Sequence, residues 1–443
     1  MSSRSMALPV YGHEDEASLS HANTHEDATP SEIAVGVIIG RSSEYFDFFV
    51  FGIACVLVFP QLMFPFLSPL AGTLAAFAIF AMAFVVRPVG TAVSMAVQRR
   101  WGRGTKLTLA LFLLGISTVS MALLPGYEAI GPAAIAALVV LRIGQGVALG
   151  GSWDGLPSLL AMAAPRERRG WYAMVGQLGA PAGFILAASL FAFLHSQLTQ
   201  EEFLAWGWRY PFCVAFAINV VALFARLRLV VGQSYAQLLE DKELEPVPVA
   251  QLVREQGGHV FLGAFAALAS FALFHVVTVF PLSWISLYSE RSMTEVLGVQ
   301  IAGAFLAALA IMLSGRLADR IGRRRLLGGM AVLIGLFSLA TPWLLDGSVA
   351  GSNTFLLLGF VLLGLSYGQS AGTVTSNFAP RYRYTGAALS ADLAWLFGAA
   401  FAPLVALGLS ARFGLGAVTL YLLSGVVCTL LALRINRLLE GRG

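Results

Sequence analysis

Apolar residues fall in twelve runs along this chain, each near the twenty or so residues a helix needs to cross a bilayer. Polar residues gather in the short breaks between them. The runs lie at about 33–59, 70–97, 106–124, 132–155, 171–194, 209–229, 259–284, 295–314, 326–345, 354–376, 385–409 and 414–436. The longest break, Val230 to Gly258, follows the sixth run and carries Glu240, Asp241, Lys242, Glu243 and Glu245, then Pro246 and Pro248. The pattern predicts an all-α polytopic membrane protein of twelve transmembrane helices in two six-helix bundles, residues 31–230 and 259–443, joined by a central loop at 231–258. Residues 1–30 are polar and hold no apolar stretch of the kind a signal peptide needs, so they are expected to form a disordered tail.

Composition agrees. Of 443 residues, 58% are hydrophobic and 12% charged, and the mean hydropathy is +0.78, more apolar surface than a water-soluble chain of this size buries. The net charge of +4 does not mark a nucleic-acid binder, because the positive charges sit in short loops where they set topology. With both termini placed in the cytoplasm, most of the 28 lysines and arginines fall on the cytoplasmic side. Arg209, Arg291 and Arg412 fall on the other, and Arg41, Arg87 and Arg142 lie inside the runs. Cys55, Cys213 and Cys428 show no pairing or metal spacing and read as small buried hydrophobes. The histidines show no zinc spacing, no Gly-x4-Gly-Lys-Ser/Thr loop is present, and no nucleophile–base constellation stands out. No cofactor, no metal and no enzymatic activity are expected.

The break between the eighth and ninth runs reads Gly315-Arg316-Leu317-Ala318-Asp319-Arg320-Ile321-Gly322-Arg323-Arg324-Arg325. Gly315 and Gly322 permit close helix approach and a tight turn, and Asp319 suits an arginine or the N-terminus of a neighbouring helix. A degraded copy, Met95-Ala96-Val97-Gln98-Arg99-Arg100-Trp101-Gly102-Arg103, lies half a chain earlier when Gly102 is aligned with Gly322. Two similar halves are a transporter pattern.

The later segment resembles the loop signature of the major facilitator superfamily, Gly-x-Leu-Ala-Asp-Arg-x-Gly-Arg-Arg, and the earlier copy departs from it with Arg99 at the Asp position and Met95 at the first Gly. Further segments are similar to the metabolite:proton symporter family within that superfamily. They are Glu44-Tyr45-Phe46-Asp47-Phe48-Phe49, Arg87-Pro88, Gly150-Gly151-Ser152-Trp153, Gln177-Leu178-Gly179-Ala180-Pro181-Ala182-Gly183 and Gly207-Trp208-Arg209-Tyr210-Pro211-Phe212, with the paired Ala164-Pro165 and Ala379-Pro380 motifs. Where the family has Gly-Gly-Glu-Trp, Ser152 replaces the acid and Asp154 appears two residues on. The resemblance implies the major facilitator fold and transport of carboxylates such as 2-oxoglutarate, citrate or shikimate, or zwitterions such as proline and betaine. It also implies a gating role for Gly315, Asp319, Arg320, Gly322 and Arg323.

Charges inside a membrane helix cost about 2.5–3.5 kcal/mol even on lenient scales, so they need partners or water and mark pathways. The first run holds Arg41, Glu44 and Asp47 at steps of three, on neighbouring faces of one helix. At a rise of about 1.5 Å per residue, Asp47 lies roughly 20 Å in and Arg41 roughly 12 Å in. Arg41 pairs with Glu44 or faces the cavity. Arg87 precedes Pro88, which bends the helix, and its fork suits a carboxylate. Arg142, near the midplane, needs an anionic partner. In the resembling family the Glu44 and Asp47 positions lie at the central cavity, the Arg142 signature takes part in proton coupling, and the first and fourth helices adjoin. Asp47 is therefore the expected partner of Arg142, and Asp47, Glu44 and Arg142 are the candidates for proton coupling. Arg87, Arg41, Tyr45, Gln145, Gln177, Asp392 and Trp395 are the candidates for substrate contacts, Asp392 doubling as a possible second proton site or counter-charge to Arg41. His275 reads as a core histidine, and Trp284, Tyr288, Tyr367, Gln369 and Asn377 are further candidates for a cavity wall.

These readings converge on a secondary active transporter, with proton-coupled symport of a small organic acid across the inner membrane by alternating access as the leading expectation. A zwitterion symporter, an efflux transporter and a non-transporting metabolite sensor are the alternatives. The expected partners are a small-molecule metabolite, a proton and the lipid bilayer, with no nucleic acid, and the expected state is a monomer.

Overall fold

The computed structural model describes residues 30–153, 155, 160, 165–231, 245–371 and 378–440. Asp154, Asn377, the tail expected at 1–30 (all but Pro30) and the acidic part of the central loop lie outside the described residues. Among the described residues twelve helical crossings can be followed. Helix α1 is Pro30–Leu57, and the helix Pro69–Ala122 supplies α2 (69–101) and α3 (103–122), broken at Gly102. Then come α4 (Pro132–Gly151), α5 (Arg169–Gln197), α6 (Arg209–Val231), α7 (Leu268–Tyr288), α8 (Met293–Ile321), α9 (Arg323–Gly347), α10 (Val349–Tyr367), α11 (Pro380–Phe413) and α12 (Gly416–Glu440). With an even number of described crossings, the first and last described residues, 30 and 440, lie on one face, called here the terminal face. A helix at Val249–Phe265 starts inside the segment read as loop and leads into α7; its polar first turns, Gln251 to Gln256, hid it among the loop residues.

Turn chemistry sets the crossings. Gly102 and Gly322, the two glycines aligned between the halves, both stop their helices with positive φ, 83° and 88°. A side chain there would be strained, so the repeated loop makes the same sharp turn in each bundle. Ser68 caps α2 by accepting from the Ala71 amide at 3.3 Å, with Pro69 at the first helical position. Thr199 and Glu202 form a reciprocal capping box just before α6. The α2–α4 seam is closed by Gly150: a Cβ there would lie 2.4 Å from the Arg87 carbonyl oxygen and from the Thr91 nitrogen. Small residues at such seams let helices approach where lipid gives no hydrophobic drive to pack.

The core between the bundles is aromatic. Tyr45, Phe48, Phe49, Phe80 and Phe84 of the first half meet Phe274, His275 and Trp395 of the second. Of the three cysteines only Cys55 is buried; Cys213 is exposed and Cys428 half-buried, on the outer helices α6 and α12. An apolar run does not show which of its faces meets lipid.

Candidate functional site

Between the bundles, in the half of the molecule nearer the terminal face, lies a cavity of about 850 Å3 including its mouth. Arg41 and Tyr45 of α1, Arg87 of α2, Gln177 of α5 and Trp395 of α11 line it, with Trp153, Tyr172, Phe271, Tyr367 and Ser370. Five of the seven expected substrate contacts thus share one wall. Arg41 and Arg87 are the charged groups of that described lining, and no acid is among them.

The acids stand behind the arginines. Glu44 accepts from Arg41 Nη1 at 2.8 Å and from Arg226 Nη1 at 2.9 Å. Arg226, counted among the cytoplasmic-side charges at the end of the sixth run, is buried in α6, where it also donates to the Ser152 carbonyl. An arginine at the end of an apolar run reads as a topology-setting charge, and no spacing in the sequence shows it turning inward to α1. One carboxylate therefore serves two guanidinium groups.

Asp392 holds Arg87, not Arg41. Arg87 Nε lies 2.7 Å from Asp392 Oδ1, across the interface between the bundles. The approach is oblique, so charge holds the pair more than a linear hydrogen bond does. The Thr91 hydroxyl, one turn along α2, donates to Asp392 and lies 3.2 Å from the Gly150 carbonyl. Gln177 Nε2 donates to Ser370 Oγ at 3.4 Å, and the Tyr45 and Tyr367 hydroxyls meet; both contacts also cross the interface.

Deeper in the first bundle, the expected Arg142–Asp47 ion pair is not formed. Gln145 stands between them: Arg142 Nη1 donates to Gln145 Oε1 at 2.8 Å, and Gln145 Nε2 donates to Asp47 Oδ1 at 3.1 Å. Asp47 also accepts from the Thr118 hydroxyl at 2.9 Å and from Asn219 Nδ2 at 3.2 Å. Arg142 donates to the Phe80 carbonyl through Nε (3.3 Å) and Nη2 (3.2 Å) and lies over the Phe51 ring at 4.0 Å. Gln145, expected at the substrate, is fully enclosed in this network and does not line the cavity. Neither Thr118 nor Asn219 stands out in the sequence, since single polar residues in apolar runs are common and cheap. His275, read as a core histidine, is buried among Phe48, Phe80 and Phe274 with Nδ1 3.3 Å from the Thr278 hydroxyl, while its Nε2 has no hydrogen-bond partner among the described residues. Trp284 and Tyr288 meet in a tilted ring pair, centroids 4.3 Å apart, and do not line the cavity.

At the terminal face the loop signature closes the two halves together. Asp319 accepts from the backbone amides of Gly170 (2.6 Å) and Trp171 (3.2 Å) at the start of α5. Gly315 lies against Trp171 and Met174, and Arg323 donates to Gln369, which donates to the Gly170 carbonyl. Gly322 makes the turn, while Arg320 is exposed and outside these contacts. In the first half, Arg99 at the aspartate position takes no such role; Gln98 and Lys106 meet Tyr384 at the start of α11 instead, at 3.0 and 3.1 Å. No group of histidines, cysteines and acids able to hold a metal is found among the described residues.

Comparison with known proteins agrees with this architecture. Residues 100–391 match the model of the Major Facilitator Superfamily. The chain is 36% identical over 428 residues to the inner membrane metabolite transport protein YhjE of Escherichia coli, covering 94% of this chain and 97% of that one. It is 31% identical to the shikimate transporter of E. coli (88% and 91% covered) and 28% identical to its proline/betaine transporter (81% and 73%). Among solved structures, the partially occluded inward-open xylose transporter XylE of E. coli superposes with a TM-score of 0.67 at 20% identity, over 90% of this chain and 96% of that one. The chain belongs to the major facilitator superfamily, among its metabolite transporters.

Proposed function

We propose that this secondary transporter is a symporter that takes up a small organic acid together with a proton across the inner membrane, as a monomer with both termini in the cytoplasm. The observation that carries this reading is the sign of the cavity wall: two arginines face the cavity and their counter-carboxylates, Glu44 and Asp392, stand behind them. An anion entering there meets guanidinium groups that can grip a carboxylate with paired hydrogen bonds.

Arg41, Arg87 and Gln177 would hold the carboxylate, and Tyr45, Tyr367 and Trp395 would pack on the rest of the ligand. Asp47 would take and release the proton. Its charge is felt by Arg142 through the Gln145 amide, so protonation weakens a buried network that ties α1 to α3, α4 and α6. One charge moving down the membrane potential supplies about 2.3 kcal/mol per 100 mV, enough to drive more than a tenfold gradient. The loop contacts of Asp319 and Arg323 would hold the terminal face shut while the other face opens. The cytoplasmic placement of the terminal face rests on the arginine bias of its loops.

A zwitterion with a quaternary ammonium group is the second reading, favoured by the aromatic wall of Tyr45, Phe271, Tyr367 and Trp395, which suits cation–π contact. Uptake of radiolabelled succinate, citrate, shikimate, betaine and proline into proteoliposomes under an inward proton gradient decides between them. Organic-acid uptake that collapses in Arg87→Gln supports the first reading. Uptake of betaine or proline alone overturns it.

A further inference from the structure

Arg87 and Asp392 are a cation and an anion of opposite bundles that meet at the cavity wall, and their exposures differ. The Arg87 side chain is 10% exposed and lines the cavity; that of Asp392 is 3% exposed and does not, although its neighbours Ser390, Ala391, Ala394 and Trp395 do. Among the described residues no other acid contacts the Arg87 guanidinium. The carrier thus presents one of its own carboxylates to the group best placed to receive a carboxylate from outside.

We infer that Asp392 is a built-in competitor for the substrate's carboxylate, holding Arg87 while the cavity is empty and releasing it to an organic anion by taking up a proton. This deepens the reading of the cavity as an anion site and rests on it. The charges balance. Before binding, the buried pair is Arg87 cation and Asp392 anion. On binding, one proton from water adds to the Asp392 carboxylate, Arg87 keeps all its protons, and the substrate carboxylate becomes the counter-ion. For the one substrate carboxylate that pairs with it, the Arg87 site is neutral before and after. Without the proton, two carboxylates would share one guanidinium, leaving an uncompensated charge away from water, which is costly.

The structure provides for the protonated form. The Thr91 hydroxyl has one hydrogen and two acceptors in reach, Asp392 and the Gly150 carbonyl at 3.2 Å. When Asp392 is ionised, Thr91 donates to it. When Asp392 carries a proton, it can donate to the Thr91 oxygen while Thr91 turns its hydrogen to Gly150, so no buried polar group is orphaned. The other charged or titratable groups on the elements packed around Asp392 include Arg41, Glu44, Tyr45 and Asp47 on α1, Arg99 and Arg100 on α2, Lys106 on α3, Arg383 and Tyr384 at the start of α11, and Arg254, Glu255 and His259 on the helix before α7. None of these contacts its carboxylate among the described residues. The exchange also removes an ionic tie between the bundles as the substrate seats, linking binding to their movement. It makes Asp392 a second proton-linked group beside Asp47.

Titration calorimetry of the full chain in detergent, in two buffers of different ionisation enthalpy, counts protons taken up per ligand bound. Succinate, citrate and shikimate are the probes, and the tightest binder is carried forward. In the wild type, binding is expected to take up protons and to tighten by up to about tenfold per unit fall in pH. Asp392→Asn is expected to bind more tightly at neutral pH, to take up about one proton fewer and to lose most of that pH dependence. Equal proton uptake and equal pH profiles in the two proteins overturn the role of Asp392 but leave the anion site standing. No binding of any probe to the wild type overturns the anion site and this role with it. Should Asp392→Asn not fold, Asp392→Ser is the second neutral variant, and absence of proton uptake by the wild type alone suffices to refute the proposal.

Discussion

Gln145 separates two charges that would otherwise meet, and the separation changes what each can do. A direct Arg142–Asp47 pair would be a fixed ionic lock; through an amide, protonation of Asp47 is felt by Arg142 without leaving either side chain unpartnered. Gln145→Leu removes both bonds, together with the one Gln145 Nε2 donates to the Thr118 hydroxyl at 2.8 Å, and leaves a buried carboxylate short of a donor. The expected result is a loss of roughly 1–3 kcal/mol in stability, read as a lower unfolding temperature, together with proton-driven uptake impaired more than substrate exchange. Equal impairment of the two would place Gln145 in the substrate site after all. Arg226→Met removes one of the two cations on Glu44 while Arg41 remains. Breaking a buried pair from one side costs about 3–5 kcal/mol, and here the second arginine should keep the loss at the lower end, again measured by thermal unfolding. The sequence makes the charged residues legible because each intramembrane charge is expensive and therefore conspicuous. Their pairings are not legible, because helix periodicity gives the face of a residue on its own helix and not which neighbouring helix that face meets. Hence Arg41–Glu44, three residues apart, could be anticipated, while Arg87–Asp392 and Arg226–Glu44 could not.

At the level of elements, the long apolar runs carry nearly all the information, since in a bilayer every backbone group must be satisfied within its own helix. The turn glycines Gly102 and Gly322 were legible for the same reason: a basic break of a few residues between two spans leaves little choice but a sharp, positive-φ turn. The helix at Val249–Phe265 was harder to read because it begins among polar residues and draws its stability from packing against α11. Glu255 on its exposed side accepts from the Tyr382 hydroxyl and from Gln251 Nε2 at 3.0 Å. The Tyr382 hydroxyl, with Gln251 adding to it, holds the Glu255 carboxyl below the usual carboxylate range. A depressed folded value means the contact supports the fold above the ordinary glutamate range and is lost as pH falls through the lowered value. Hydrogen exchange of residues 249–258 is therefore expected to quicken at acid pH in the wild type and to be fast already at neutral pH in Tyr382→Phe. At the α2–α4 seam, Gly150→Val drives side-chain atoms into the Arg87 and Thr91 backbone. Overpacking of this kind costs about 1–3 kcal/mol, and here it also shifts the two residues that hold Asp392, so substrate affinity should fall along with stability.

For the whole molecule, the two halves repeat their turns but not their gates. The second-half loop ties α8 to α5 through Asp319, while the first half uses Gln98 and Lys106 against Tyr384, so the terminal face is latched by unlike contacts on its two sides. The central claim is that an organic acid and a proton cross together and that Asp47 carries the proton. The most direct test follows internal pH with a trapped dye in proteoliposomes when an organic acid is added outside, for the wild type and for Asp47→Asn. The account expects acidification in the wild type and none in Asp47→Asn, with exchange of labelled for unlabelled acid surviving in the variant. Acidification that persists undiminished in Asp47→Asn, or acid uptake by the wild type with no proton movement, would contradict it.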